Sequence, residues 1–213
     1  MTDAANRLGH PTGAEVMNRL KKRRTPTVFS QSDKFKAQRA AALYYSMAEI
    51  TLPGDFAEFG VFKGESARFM NSFLFGGRRM HLFDSFEGLP EDWVGRWKKG
   101  HFDVGGKIPE FDPTHVSIYK GWFKDTVPAF AQDLSTPLSF IHMDADLYSS
   151  TMDVFNNLND KIAPGTVILF DEYVFKGSED EHNALLDWAE AYGREFDYLW
   201  RSRWVQVAIR VTK

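Results

Sequence analysis

Two apolar segments of the sequence each run directly into acidic residues. The segments cover residues 138–143 and 166–170, and both have the composition of buried β-strands. The acids that follow are Asp144 and Asp146 after the first segment, and Asp171 and Glu172 after the second. Because residues i and i+2 of an extended chain face the same side, Asp144 and Asp146 should project together. Ligands of open α/β sheets bind at this edge, so the pattern predicts one acidic site built by two strands.

The other apolar segments alternate between strand and helix periodicity. The short turn at residues 201–203 makes the last two predicted strands antiparallel. This order predicts an α/β fold with a mostly parallel Rossmann-like sheet, helices on both faces and an antiparallel C-terminal hairpin. It is the order of a class I methyltransferase sheet. The predicted strands cover residues 55–60, 79–83, 115–119, 138–143, 166–170, 196–200 and 204–211.

Local signals set the limits of several predicted helices. Residues 14–23 and 34–50 show helical spacing of apolar positions and make residues 1–54 a helical arm ahead of the first strand. A third helix should follow Gly64 and end at Gly76. Two later helices are predicted to begin at capping boxes. The capping pairs are Ser150 with Asp153 and Ser178 with Glu181.

A glycine turn follows the first predicted strand, at residues 60–64. Strand, glycine turn and helix form the opening unit of a nucleotide-binding sheet. The spacing is not that of G-x-G-x-x-G, which weakens a dinucleotide interpretation. Asp84 ends the second strand, where an acid can accept hydrogen bonds from the two ribose hydroxyls of an adenosine. The alternative is that Asp84 serves a turn or a helix N-terminus.

Residues 86–114 form a long connection that contains five glycines, three prolines and two tryptophans. Long loops inside compact domains are usually functional or disordered, and Trp93 and Trp97 argue against disorder. We therefore predict a lid-like loop that faces the substrate, with a short helix around residues 91–98.

Composition narrows the class of protein. The 213 residues are 43% hydrophobic and 15% aromatic, which excludes wholesale disorder and predicts one domain. A formal net charge of −3 gives no general attraction to nucleic acid, and the basic run at residues 21–24 is interpreted as a solvated helix end. The sequence contains no cysteine, no apolar segment near 20 residues and no signal peptide, so a soluble cytoplasmic protein is expected.

Five short motifs occur in one order along most of the chain. Together they resemble the macrocin O-methyltransferase-like family, metal-dependent class I enzymes that methylate sugar hydroxyls of natural products. The second motif is the most specific, because generic methyltransferases lack it. The motifs are EFGVFKG at 58–64, FDSFEGLP at 83–90, GWFKDT at 121–126, DADLY at 144–148 and FDEY at 170–173.

The resemblance implies S-adenosylmethionine as methyl donor and Mg²⁺ as metal. It implies that Asp144, Asp171 and Glu172 hold the metal and that Asp146 is the general base. The family often has two aspartates before the tyrosine, whereas the second acid here is the longer Glu172. The residues expected to line the cofactor are Glu58, Gly60, Gly64, Ser66, Asp84, Ser85 and Gly121.

The residue chemistry agrees with this interpretation and leaves alternatives open. Clustered acids repel unless a cation lies among them, and Mg²⁺ prefers oxygen ligands. A sugar hydroxyl is a poor nucleophile, and a metal next to it favours loss of its proton. His142 competes with Asp146 as the base, although a buried supporting role fits it better. Other functions that remain open are methylation of a catechol-like diol, metal-dependent hydrolysis, and S-adenosylmethionine binding without catalysis. The acceptor should be a glycosylated or diol-bearing small molecule, and the protein is a possible homo-oligomer.

Overall fold

The computed structural model describes residues 11–22 and 34–213. Seven strands form one sheet in the order β3-β2-β1-β4-β5-β7-β6. The first five strands are parallel, β7 is antiparallel to β5, and β6 is antiparallel to β7. The predicted fold class is confirmed. The strands are β1 (Phe56–Phe59), β2 (Met80–Asp84), β3 (Val116–Lys120), β4 (Phe140–Met143), β5 (Val167–Phe170), β6 (Phe196–Arg201) and β7 (Val207–Val211).

Six α-helices cover the two faces of the sheet in the described part of the chain. Alternate residues of a strand point to opposite faces, so Phe140 and Ile141 of β4 join different hydrophobic clusters. Helices α2 and α3 pack on the face of Phe140, and α1, α4, α5 and α6 pack on the face of Ile141. The helices are α1 (Gly13–Arg19), α2 (Lys34–Ala48), α3 (Glu65–Asn71), α4 (Phe123–Asp133), α5 (Tyr148–Leu158) and α6 (Asp180–Tyr192).

The predicted N-terminal arm corresponds to α1, a single 3₁₀ turn at Leu20–Lys22, and α2. Thr12 begins α1 with a capping box that it forms with Glu15. Residues 1–10 and 23–33, which include part of the predicted arm and of the basic run, lie outside the described residues. No helix among the described residues combines the length and the apolar character that a membrane span requires.

Both predicted capping boxes are wrong. Helix α5 begins at Tyr148, ahead of Ser150, and α6 begins at Asp180, after Ser178. The Glu181 carboxylate is fully buried and accepts a hydrogen bond from the Glu172 amide at 3.1 Å. The Ser178 hydroxyl donates to the Asp180 carboxylate at 2.6 Å, so neither residue forms the predicted pair.

Two other local predictions fail at glycine-rich turns. Helix α3 ends at Asn71, before the predicted end at Gly76, and a series of tight turns follows it. The helix expected at residues 91–98 is absent; the segment is a turn in which the Trp93 amide donates to the Trp97 carbonyl at 2.8 Å. Gly95, with a φ of 64°, lies inside this turn and favours it over a helix.

Candidate functional site

One cavity of about 960 Å³ opens at the carboxyl ends of the parallel strands. Its wall combines the turn after β1, the ends of β2 and β4, α2 and the loop at residues 86–114. The structure therefore gathers most of the predicted site residues around one space. Those in the lining are Gly60, Ser66, Asp84, Ser85, Gly121, Asp144, Asp146 and Glu172. Those outside the lining are Glu58, Gly64, His142 and Asp171.

Asp84 lies in the part of the cavity formed by the glycine turn and the end of β2, which we call the cofactor half. One of its carboxylate oxygens accepts hydrogen bonds from the amides of Val61 and Phe62, both at 2.7 Å. Its other oxygen accepts from the Phe86 amide at 2.6 Å. The carboxylate therefore fixes the glycine turn through backbone donors, which is the turn role named above as the alternative. Each oxygen has two lone pairs, and three of the four are occupied, so one lone pair of the second oxygen is left for a ribose hydroxyl. Acceptance from the two ribose hydroxyls stays a prediction.

Gly60 joins the cofactor half to the acidic half, which is the region of Asp144, Asp171 and Glu172. Its amide donates to the Phe83 carbonyl of β2 at 3.0 Å, and its φ is 94°. A Cβ atom at this position would lie 1.9 Å from the Asp144 carbonyl oxygen. Only glycine permits this backbone conformation and this approach without a shift of the chain. Gly64 has a φ of 75° and is the N-cap of α3, whose Ser66 faces the cavity.

Three carboxylates meet at the ends of β4 and β5. Asp144, Asp171 and Glu172 each offer an oxygen, and these oxygens lie within 4.8 Å of one another. Oxygens around one Mg²⁺ lie up to about 4.2 Å apart, twice a metal–oxygen distance of about 2.1 Å. The type and spacing of these donors therefore fit a single divalent cation after small adjustments. Burial raises the pKa of Asp144 to about 6, with Arg39 opposing and Asp171 reinforcing the shift.

A side chain that no sequence pattern predicted to be in the site holds these carboxylates. Arg39 of α2 forms ion pairs through its Nη2 atom with Asp171, with Asp144 at 3.2 Å and with Glu172 at 3.9 Å. Burial alone would raise the pKa of Asp171, but the nearby positive charges of Arg39 and His142 hold it well below its usual range. A signal existed in the sequence, because Arg39 lies four residues before the buried Leu43 and so shares the inner face of its helix.

His142 lies behind the carboxylates in the middle of the sheet. Its Nδ1 atom is 2.8 Å from Glu58 Oε1, and its Nε2 atom is 3.5 Å from Asp171 Oδ1. Both Glu58 and His142 are completely buried. Burial alone would lower the pKa of His142, but the carboxylates of Asp171 and Glu58 beside it raise it to about 10. The side chain therefore lies between Glu58 of β1 and the acidic cluster and contacts both.

Asp146 occupies an unusual backbone position beside the cavity. Its φ is 62°, a left-handed conformation that aspartate and asparagine tolerate better than most side chains. The residue is nearly buried and lines the cavity two positions after Asp144. Burial and the charges of Asp144 and Asp171 raise the pKa of Asp146 well above its usual value.

The loop at residues 86–114 is pinned to the segment that follows β5. The rings of Trp93 and Phe175 stack at 5.1 Å, and Trp97 packs edge-on against Phe175 at 5.2 Å. The Trp93 indole donates a hydrogen bond to Asp180 at 2.8 Å. This aromatic cluster, formed by Trp93, Trp97 and Phe175, forms part of the cavity wall. The mobility expected of a lid stays a prediction.

Comparison with known proteins adds a matching family model and several relatives. The family model of macrocin O-methyltransferase matches residues 33–110 and 107–188. A Streptomyces olivaceus protein, 8-demethyl-8-(2,3-dimethoxy-alpha-L-rhamnosyl)-tetracenomycin-C 4'-O-methyltransferase, is 31% identical over 67% of this chain and 60% of its own length. Demethyldecarbamoylnovobiocin O-methyltransferase of Streptomyces niveus is 30% identical over 65% of this chain and 62% of its own length. The chain thus spans about six-tenths of the length of these relatives.

Solved structures agree with the fold. The crystal structure of a calicheamicin methyltransferase superposes with a TM-score of 0.66 and 20% sequence identity, over 92% of this chain and 91% of that one. The family model covers more than half of the sequence, and its matched segments contain the glycine turn, Asp84 and all four acids at the ends of β4 and β5. The chain belongs to the macrocin O-methyltransferase family.

Proposed function

We propose that this protein is an S-adenosylmethionine-dependent O-methyltransferase that methylates a sugar hydroxyl of a small molecule with the help of Mg²⁺. The observation that carries the proposal is the common cavity of the glycine turn and the acidic cluster. Gly60 brings the backbone of the turn against Asp144, so a methyl donor held at the turn and an acceptor held at the acids would be neighbours. Family membership supports the same chemistry.

Each group of residues has a separate task in this proposal. The turn at residues 60–64, fixed by Asp84, binds and orients the cofactor, which supplies a methyl group on a positively charged sulfur. Asp144, Asp171 and Glu172 hold Mg²⁺, whose charge lowers the pKa of a neighbouring hydroxyl. Holding both partners in one cavity replaces a bimolecular encounter with an oriented one.

We assign Asp146 as the general base because of its position in the cavity. It lines the cavity beside Asp144, within reach of an acceptor that faces the metal ligands. Both ring nitrogens of His142 face carboxylates inside the sheet, and His142 does not line the cavity. We assign to His142 the task of orienting Asp171. His142 thus supports the site rather than taking the acceptor proton.

The acceptor class follows from the relatives and stays part of the proposal. The relatives are named for rhamnosylated tetracenomycin and for a novobiocin precursor, both natural products. The aromatic cluster of Trp93, Trp97 and Phe175 supplies flat apolar surface, which suits sugar rings and aromatic rings alike. We expect no nucleic-acid partner. A cytoplasmic location and a homo-oligomer also stay predictions.

Two measurements test the proposal. S-adenosylhomocysteine, the demethylated product, should raise the melting temperature, because a ligand at 100 times its Kd stabilises the native state by about 2.7 kcal/mol. A panel of glycosylated natural products and catechols should then be tested as acceptors by mass spectrometry. At least one glycoside should gain the mass of one methyl group, and this gain should depend on Mg²⁺. Methylation of catechols only would assign the rival diol chemistry.

Asp146→Asn tests the assignment of the general base, because asparagine tolerates the same left-handed backbone. It should bind S-adenosylhomocysteine and metal like the wild type and lose methyl transfer. Wild-type binding of the cofactor without methylation of any acceptor would favour a non-catalytic binding protein. Absence of cofactor binding would overturn the proposal.

A further inference from the structure

Arg39 places one positively charged nitrogen among the three candidate metal ligands. Its Nη2 atom lies 3.2 Å from Asp144 Oδ2 and 3.9 Å from Glu172 Oε1, and it forms an ion pair with Asp171 Oδ2. These are the carboxylates whose oxygens lie within 4.8 Å of one another. A single atom of the protein thus forms ion pairs with all three candidate metal ligands.

The guanidinium is held by its helix but remains reachable from the cavity. The neighbouring residues Ala42 and Leu43 of α2 are buried against the sheet, which fixes the helix. The Arg39 side chain is 26% exposed and lines the cavity, whereas Asp171 has no exposure. Arginine has a long side chain with many rotamers. The guanidinium can therefore leave the carboxylates without movement of α2, while Asp171 cannot leave its position.

A divalent cation and this guanidinium cannot share the carboxylates in the observed arrangement. A metal at about 2.1 Å from the oxygens would lie within van der Waals contact of Nη2. Two like charges at such a separation repel strongly in a partly buried site. One of the two cations has to move, and the metal is the one that enters from outside.

We propose that Arg39 is the resident counter-cation of the acidic cluster and that it competes with the divalent metal for Asp144, Asp171 and Glu172. Metal entry requires the guanidinium to swing out into the cavity. This inference rests on the metal site of the proposed function and adds a residue that sets the affinity of that site. Arg39 keeps the cluster neutralised before the metal arrives, and its departure is part of metal binding.

The competition lowers the apparent metal affinity. A ligand that binds only one conformation has its apparent affinity reduced by the fraction of molecules in that conformation. If the guanidinium occupies the carboxylates in about nine molecules of ten, its removal tightens metal binding about tenfold. The effect should appear in metal affinity measured without acceptor or turnover.

The test is a Mn²⁺ titration followed by electron paramagnetic resonance on the full chain. Arg39→Gln should bind Mn²⁺ about tenfold more tightly than wild type. Arg39→Lys keeps a charge but loses the planar fork of donors, so its affinity should fall between the two. Lys124→Gln is the matched control, because it removes one positive charge from the cavity wall without contact with these carboxylates. Its affinity should stay within about twofold of wild type.

A second readout follows the arginine itself. The Nε–Hε nuclear magnetic resonance signal of Arg39, assigned by its loss in Arg39→Lys, should shift when Mg²⁺ is added to wild type. If Arg39→Gln does not fold, two measurements still decide the question. They are the Mn²⁺ affinity of Arg39→Lys relative to wild type and the shift of this signal.

The outcomes separate the inference from the proposed function. Mn²⁺ binding that is equal or weaker in both Arg39 variants, with an unmoved Arg39 signal, overturns the competition and leaves the metal site standing. No Mn²⁺ binding by wild type or by either variant overturns the metal site and the inference together. Binding by the variants but not by wild type supports the inference in its strongest form.

Discussion

The two halves of the cavity each contain buried or half-buried carboxylates, but these carboxylates have different hydrogen-bond and ion-pair partners in the two halves. In the cofactor half, the oxygens of Asp84 accept hydrogen bonds from three backbone amides of the same sheet edge. In the acidic half, the oxygens of Asp144, Asp171 and Glu172 face one guanidinium that belongs to α2. Backbone donors are fixed by the fold, whereas a long side chain can leave.

The difference indicates which half is rigid and which half exchanges its partner. A carboxylate tied to fixed amides keeps its geometry with or without a ligand. Carboxylates neutralised by a removable cation can take another cation in its place. The same residue type therefore serves as scaffold at the end of β2 and as ligand at the ends of β4 and β5. Variants that act on one half only test this division.

The largest effect is expected from Asp144→Ala. Loss of one of three carboxylates should reduce Mg²⁺-dependent methyl transfer at least about 1,000-fold, because removal of a metal ligand weakens both the metal and its charge stabilisation. The Kd of S-adenosylhomocysteine, measured by calorimetry, should change less than about threefold. A variant with unchanged turnover would refute the assignment of Asp144 as metal ligand.

A smaller effect, but in both halves, is expected from Gly60→Ala. The added Cβ would overlap the Asp144 carbonyl oxygen, and alanine disfavours a φ of 94°. We expect a loss of about 3 kcal/mol in the free energy of unfolding, measured by urea denaturation. Binding of both cofactor and Mn²⁺ should weaken. This variant should affect both halves because it disturbs the contact between them.

Gly77→Ala is the control for backbone strain alone. Gly77 has a φ of 77°, and a Cβ there would meet no atom within 4 Å. Its cost should be about 1 kcal/mol, from the left-handed backbone conformation only. Equal costs at the two glycines would mean that the close approach to Asp144 contributes nothing.

The smallest effect is expected from Asp84→Asn. The amide keeps one acceptor oxygen but loses the charge that strengthens three hydrogen bonds to the glycine turn. The Kd of S-adenosylhomocysteine should rise about tenfold, which corresponds to about 1.4 kcal/mol. Mn²⁺ affinity should stay within twofold of wild type, roughly the change expected from a distant surface charge.

Asp112→Asn is the matched control for this substitution. Asp112 is exposed and accepts a hydrogen bond from the Thr114 amide at 2.9 Å, outside the cavity lining. It should leave both affinities unchanged. A loss of Mn²⁺ binding in Asp84→Asn would show that the halves are not separable at this residue.

The strands and their acidic ends were predictable from the sequence because their signals are local. A buried parallel strand is a short apolar run, and the acids follow that run directly. Asp144 and Asp146 both reach the cavity as predicted, although the left-handed backbone of Asp146 means that the chain is not extended there. Sheet order then brings the ends of β4 and β5 together. These signals depend only on neighbouring residues and on a common order of strands in the sheet.

The partners of those acids were not predictable in the same way. Arg39 reaches Asp171 across 132 positions of the sequence, and only the packing of α2 on the sheet brings the two residues together. Glu181 had the spacing of a capping box but serves the Glu172 amide instead. Local patterns specify which hydrogen bonds are possible, and tertiary packing selects among them.

The attachment of α1 has a consequence for the order in which the chain folds. Arg201 donates a hydrogen bond to the Met17 carbonyl at 2.9 Å, across 184 positions, and Glu179 accepts from the amides of Gly13 and Ala14. During synthesis these partners emerge long after α1 has left the ribosome. Contacts at such sequence separation form slowly. We therefore expect helix α1 to dock late in folding, after the sheet that it covers, which pulse-labelled hydrogen exchange of the α1 amides would check.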